Sequence, residues 1–456
     1  MSTTTSARHT LSLLSVGILL SQAVYANPTQ ASAADELAQL KQRIALLEQR
    51  LNASAPAVAT TTTAPAAPTT TTAAAPTTAT APSLASSKQG SMWNMATAQA
   101  TQFSYKGYIK LDALASRYDS GSLPTGDFGR DFYAPSKTPV GSAPASQNFD
   151  LHAKQSRLIL GTQTALDNGK SINSHIELDF MLNTKGNKRV SNGYEPELRQ
   201  AFVQYDQWLA GQAWSNFMDV MALPDTLDFV GPTEGTVFNR QAQLRYQHGN
   251  WRVSMESPET TLTDLSKVSV ASGAARLPDL TARYQHNLGA SGYWSAALLL
   301  RELRHQVGNS TNTETGAGVS LSGRYNLSPQ TNLRGALNYG DGIGRYIGLN
   351  LVNDAVLDAQ GKLQPIEVTA GFLALQHYWQ PRLRSSVGVS FFQADPSSNT
   401  PALDLTTDSR SAHLNLIYQL QPKLEVGAEL SRAERTRDDG AEGSMNRLQL
   451  SAKYNF

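Results

Sequence analysis

Five arginines stand out by their neighbours. Arg245 lies in "QAQLRYQ", Arg283 in "LTARYQ" and Arg324 in "LSGRYN", each followed by a tyrosine and each shortly before a turn-like stretch. Arg334 in "NLRGAL" and Arg384 in "RLRSSV" lie just after one. A guanidinium is planar, permanently charged, and carries donors in a fork that matches a carboxylate in bidentate fashion. A row of them on one wall could bind and orient small anions, above all those with two carboxylates. Asp219, Asp225, Asp228 and Glu234 share one stretch, "SNFMDVMALPDTLDFVGPTEGTVFNR" at 215–240, which holds no Lys and ends on its only Arg, Arg240. Set opposite the arginines, these acids would make a transverse field. The plainer reading is that a polar wall needs charge and that Arg pairs with acidic neighbours.

A shared wall requires strands, and from Phe103 onward the pattern is period two. "FSYKGYIKLDALA" sets Tyr105, Ile109 and Leu111 against Lys106, Lys110 and Asp112. "KLEVGAEL" sets Leu424, Val426, Ala428 and Leu430 against Glu425 and Glu429. The C-terminal "RLQLSAKYNF" puts Leu448, Leu450, Ala452, Tyr454 and Phe456 on one face and Arg447, Gln449, Ser451, Lys453 and Asn455 on the other. A soluble sandwich alternates too, but an open terminal strand would then expose an edge. Here both faces persist over about ten residues, the length a tilted membrane strand needs.

The connections decide between them. Short ones at 167–170, 206–207, 248–250, 287–292, 327–331, 379–382 and 421–423 alternate with long ones near 119–153, 183–196, 215–240, 257–278, 306–315, 341–364, 396–408 and 436–443. Short turns at one end and long loops at the other mark an outer-membrane barrel, the short turns being periplasmic. Seven turns and eight loops imply an all-β, sixteen-stranded antiparallel transmembrane barrel over 103–456, wide enough for an aqueous channel. The third long connection mixes its acids with Met218, Met221, Leu223, Leu227 and Phe229. Apolar residues in a loop predict that it folds back, so we expect it to narrow the pore; an extracellular or subunit-contacting loop is the alternative.

Ahead of the barrel, residues 1–26 read as a signal peptide, with one Arg and no acid, the apolar "LSLLSVGILLSQAV", and "VYA" before Asn27. Residues 34–52 carry Leu37, Leu40, Ile44, Leu47 and Leu51 at heptad spacing, a short α-helical coiled coil too brief to hold chains together alone. Residues 53–100 are rich in Ala, Pro and Thr and read as an extended tether. The expected location is the outer membrane of a Gram-negative bacterium, with this N-terminal region in the periplasm, where the coiled coil could meet a partner.

Composition removes other classes. The 456 residues contain no Cys, which excludes disulfide frameworks, thiolate metal sites and Cys nucleophiles. Net charge of +1 gives no sign of nucleic acid binding, and mean hydropathy of −0.33 with no long apolar run after the N-terminus gives no membrane helix. Five of the 38 Lys and Arg and three of the 37 Asp and Glu precede Phe103, so the barrel is near neutral and any selectivity must come from placement. There is no GxSxG and no HExxH, and the histidines are scattered, so no enzyme, cofactor or resident metal is expected. "GDGIG" at 340–344 lacks the context of a phosphate loop, and "RDDGAEG" at 437–443 reads as a solvated loop before a Ca²⁺ site.

The order of signal peptide, heptads, tether and barrel, with "FSYKGYIKLDALA" and "LAGQAWSNFMD" followed by "LPDTLDFVGP", resembles the DcaP-like outer-membrane porins, named for dicarboxylic acid transport. The resemblance covers nearly the whole mature chain. It implies a homotrimer of sixteen-stranded barrels in outer-membrane lipid, a periplasmic coiled coil, and passive uptake of small carboxylates. It assigns no particular arginine to a solute. Two other roles stay open on the residues alone: a general, weakly selective diffusion porin, and an envelope-structural protein anchored through its coiled coil.

Overall fold

The structure is a computed structural model that describes residues 93–95, 101–182, 191–396 and 402–456. The signal peptide, the heptad segment and most of the tether lie outside the described residues. Sixteen strands form the wall. They are β1 (Thr101–Tyr118), β2 (Ser146–His152 and Arg157–Ala165), β3 (Ser171–Asp179), β4 (Glu197–Tyr205), β5 (Trp208–Trp214), β6 (Arg240–His248), β7 (Trp251–Glu256) and β8 (Asp279–Asn287). They continue as β9 (Gly292–Val307), β10 (Ser310–Asn326), β11 (Thr331–Asp341), β12 (Glu367–Gln380), β13 (Leu383–Asp395), β14 (Thr406–Gln421), β15 (Leu424–Arg437) and β16 (Glu442–Asn455). Each pairs antiparallel with the next, and β16 pairs with β1 from Tyr108↔Asn455 to Tyr118↔Met445, so the sheet closes without an edge.

The alternation sorts side chains as lipid and water demand. Leu298, Leu300, Leu321 and Leu430 are each more than half exposed on the outer wall, a placement that water would not tolerate over so wide a band and that hydrocarbon rewards. Beside the short turns sit Tyr205, Trp208, Tyr246, Trp251, Trp294, Tyr378 and Trp379, all exposed, with Tyr284 half-buried among them. Their rings pack at a tilt, Trp208 on Tyr246 at 4.8 Å and Trp251 on Tyr284 at 4.9 Å between centroids. That is the aromatic girdle of a membrane interface. Phe456 joins it by backbone bonds in both directions with Gly107. Only a glycine fits there, because a Cβ on Gly107 would lie 2.1 Å from the Arg157 carbonyl oxygen and 3.0 Å from the Phe456 ring.

Three features differ from the pattern in the sequence. The fifth long connection is a turn at Gly308 and Asn309, because β9 and β10 run for 16 and 17 residues and stay paired to their tips. Polar threonines and asparagines, read as loop, are strand here because the neighbouring strand supplies their backbone partners. Trp93–Met95, inside the stretch expected as tether, pairs antiparallel with Thr101–Phe103. β2 is broken at 153–156, and there the Ser156 hydroxyl accepts the Lys110 N–H at 3.0 Å, replacing the missing ladder bond.

The long connections fold over and into the barrel. The fourth and sixth share a four-stranded sheet, Ser269–Ser272, Thr260–Thr263, Ala355–Leu357 and Leu363–Pro365, whose middle pair is parallel. Phe217, Met218 and Val237 of the third pack with Tyr346, Ile347 and Val352 of the sixth against Leu299, Val368 and Phe392 of the wall, all nearly inaccessible. This apolar cluster inside a polar lumen seats both loops.

Candidate functional site: an arginine wall beneath a crossing loop

The third connection runs from β5 to β6 by way of the opposite wall. Glu429 on β15 accepts from the Leu227 and Asp228 backbone N–H groups at 2.7 and 3.2 Å. The Leu227 carbonyl accepts from Lys110 on β1 at 2.6 Å and Gln449 on β16 at 2.9 Å. Asn415 on β14 donates to the Asp225 carbonyl, and Asn338 on β11 to the Gly235 carbonyl. Gly235 lies so close to β12 that a Cβ there would meet the Gly371 carbonyl carbon at 2.1 Å. Every backbone bond that a folded-in loop takes from water must be replaced, and here these inward polar residues of five strands supply partners.

The four acids of the loop separate into two pairs. Asp219 accepts from Ser322 at 2.7 Å and Tyr293 at 3.2 Å and stands 3.8 Å from Arg283. Asp225 accepts from Arg384 at 2.8 Å and Gln376 at 2.9 Å. These two meet arginines. Asp228 turns back on its own loop, accepting from Val230 and Gly231, and takes the Tyr133 N–H at 2.7 Å. Burial first, and the Glu429 carboxylate second, raise the Asp228 carboxyl above its ordinary value. Glu234 is inaccessible, bound by the Tyr133 hydroxyl at 2.5 Å and by Ser411 at 2.7 Å. Burial and Glu234 together raise the Tyr133 phenol, so it stays a donor. Asp228 and Glu234 are fastenings of the loop and face no arginine of the row.

The five sequence-selected arginines all point inward, but their surroundings differ. Arg384 is neutralised between Asp225 at 2.8 Å and Glu425 at 3.0 Å. Arg334 donates to the Met221 and Leu223 carbonyls at 3.2 and 2.6 Å and to Asn332. Arg245 donates to Gln243 and to the Trp214 carbonyl. Arg283 has only Asp219 as an ionic partner, and Arg324 has no hydrogen-bond partner among the described residues, with a buried Nε. The register sets Arg324 directly opposite Arg334. It also sets Arg283 opposite Arg252 of β7, which the local phrase did not single out. Arg252 donates to Gln247 at 3.0 Å. The alternation in "WRVSME" marks it as inward, since Trp251, Val253 and Met255 are the exposed face. Among the described residues, Asp219 is thus the one carboxylate within ion-pair distance of the group Arg245, Arg252, Arg283, Arg324 and Arg334.

A second inward cluster was not anticipated. Arg199 bonds Glu177 at 2.6 Å and Asp179 at 2.7 Å, and Arg157 bonds the same two at 3.0 and 3.1 Å. Arg240 bonds Glu197 at 2.9 Å and lies over Trp214 at 5.2 Å.

A closed sixteen-stranded barrel with a lipid-facing apolar band, an interfacial girdle and a water-facing charged interior is an outer-membrane channel of the porin type. The model of the DcaP outer membrane protein family matches residues 78–456, and the chain belongs to that family. The outer membrane channel DcaP of Acinetobacter baumannii is similar in fold, with a TM-score of 0.65 at 23% identity over 78% of this chain and 97% of that one. An anion-selective porin from Comamonas acidovorans matches with a TM-score of 0.48 at 11% identity over 78% of this chain and 100% of that one. The OmpF porin of Salmonella typhi, in complex with daunomycin, gives 0.47 at 9% identity over 78% and 98%. No curated protein matches the chain.

Proposed function

We propose that the channel passes small anionic solutes, dicarboxylates foremost, by passive diffusion along the arginine wall of β6–β11 beneath the crossing third connection. One observation carries this reading. Five inward guanidiniums have a single carboxylate within ion-pair distance, Asp219, and the Arg324 guanidinium has no hydrogen-bond partner among the described residues. Such a group holds positive potential in a water-filled lumen bounded by low-dielectric walls, which raises the local concentration of anions. Arg324 opposite Arg334 could take one carboxylate and Arg283 beside Arg252 the other, each as a fork. Asp219 and Asp225 complete the transverse field, and the loop sets the narrowest passage.

By family, the chain is expected to assemble as a trimer with the heptads of 34–52 on a periplasmic tether of 53–100, after removal of residues 1–26. The test is the reversal potential of purified protein in a planar bilayer, first under a KCl gradient and then with succinate on one side. Anion selectivity, with succinate carried or blocking, supports the reading. A cation-selective or indifferent pore would leave the barrel standing and end the account of its cargo.

A further inference from the structure

The outer wall carries a polar row that the channel does not use. Near the long-loop end the register aligns Ala412, Arg432, Asn446, Arg117 and Gln147 across β14, β15, β16, β1 and β2. Arg432, Asn446, Arg117 and Gln147 are all exposed on the lipid-facing side. The next row toward the membrane centre is Leu414, Leu430, Leu448, Ala115 and Phe149, all exposed too. Together they line a groove of about 830 Å³. Strands about 4.8 Å apart place the Arg117 and Arg432 Cα atoms about 10 Å from each other, with the Asn446 amide between them.

The charges in this row are unbalanced. The Arg117 guanidinium has no hydrogen bond or ion pair among the described residues. Arg432 donates to Glu434 at 2.7 and 3.2 Å through Nη2 and Nε, which leaves Nη1 available, and both side chains are more than half exposed. A solvated pair of this kind yields readily to a stronger anion. A cation at the edge of an apolar band needs a counter-charge at that height, and the row itself contains no carboxylate. The long-loop end faces the outer leaflet, so the anion at hand is a lipid phosphate.

We infer that this groove is a site for one phosphate-bearing lipid of the outer leaflet, with Arg117 and Arg432 clamping the phosphate, Asn446 and Gln147 donating beside it, and the leucine row holding the first methylenes of the acyl chain. The anionic head supplies the missing charge. The acyl chain accounts for the apolar groove directly beneath, which free phosphate would leave unused. Loss of two charge-assisted clamps should weaken binding by about tenfold or more.

The experiment is native mass spectrometry of the full chain in detergent titrated with dioleoyl phosphatidic acid, with inorganic phosphate as competitor. The unaltered protein should retain phosphatidic acid at one saturable site per chain. The double variant Arg117→Ala, Arg432→Ala should retain about tenfold less, while Arg117→Lys, Arg432→Lys keeps most of it. Unchanged pore conductance would show that the double variant is folded; if it is not, Leu430→Ala with Leu448→Ala tests the acyl half of the same site. Equal retention by both proteins overturns the inference, as does full competition by inorganic phosphate. Efficient disulfide linkage of Gln147→Cys chains to one another would assign the groove to a second copy and also overturn it; the chain has no other cysteine to confuse that readout.

Discussion

Two arginine clusters face the same lumen, and they are built to different ends. On β2–β4, Arg157 and Arg199 interlock with Glu177 and Asp179, each carboxylate bridging both guanidiniums within 3.1 Å. On β6–β11, five arginines share Asp219 at 3.8 Å from one of them. The residue type and the inward orientation are the same. The difference lies in the neighbouring strands. β3 reads "IELD", so its inward positions are both acids, whereas the inward neighbours on β6–β10 are Gln243, Ser254, Thr281, Ser295 and Ser322. The inward acids there are both occupied, Glu256 by Asn216, Gln241 and Thr281 and Asp279 by the Tyr346 hydroxyl at 2.8 Å and Arg301 at 3.4 Å. A closed ion network spends its charge on holding a wall together. An open one keeps its field in the water.

The largest effect that would break this contrast is on stability. Glu177→Ala leaves Arg199, only 3% accessible, without half of its charge partners and should cost about 3–5 kcal/mol in urea unfolding of the detergent-solubilised barrel, with little change in ion selectivity. A loss as small as that of an exposed pair would mean the two clusters are equivalent. Next, Arg324→Ala should shift the anion-to-cation permeability ratio about fivefold toward cations, the equivalent of about 1 kcal/mol, while leaving the unfolding midpoint nearly unmoved. Asp219→Asn should move the same ratio the other way, by about twofold to fivefold on the same reckoning. Its amide oxygen can still accept from Ser322 and Tyr293. Salt sharpens the comparison further: between 0.1 and 1 M KCl the screening length falls from about 10 Å to about 3 Å. Selectivity from the open wall should therefore fade, whereas the cost of Glu177→Ala, measured in the same salts, should hold.

The smallest effect concerns the loop's fastening. The Asp228 carboxyl is raised in the folded chain, so the folded state holds its proton more firmly than the unfolded state. Stability from this group should fall as pH rises from the ordinary carboxylate range through the raised value. Asp228→Asn should flatten that fall, read as the pH dependence of the unfolding midpoint. An unchanged slope would assign it to another group.

Much of the wall was legible in advance because strand facing is a local property. Period two says which side each residue takes, so Arg245, Arg283, Arg324, Arg334 and Arg384 could be assigned inward from their own phrases, and so could Arg252. The turn residues announced the sixteen-strand count. The tip of β9–β10 departs from the loop expected at 306–315 because threonine- and asparagine-rich strand ends resemble loop until the partner strand is known. Asp228 and Glu234 were read with Asp219 and Asp225 because within the loop nothing distinguishes them.

From sequence came the membrane strands, their facing and the presence of a long, partly apolar third connection, all of which depend on residues a few positions apart. The fate of each charge came from closure of the barrel. Glu429 reaches Leu227 and Asp228 across 202 and 201 positions of chain, and Arg283 meets Asp219 because the loop crosses the lumen. Whether a charge is neutralised or left to act depends on Coulomb interactions over a few ångströms, and which groups come that close is set by register and loop path, not by their distance along the chain.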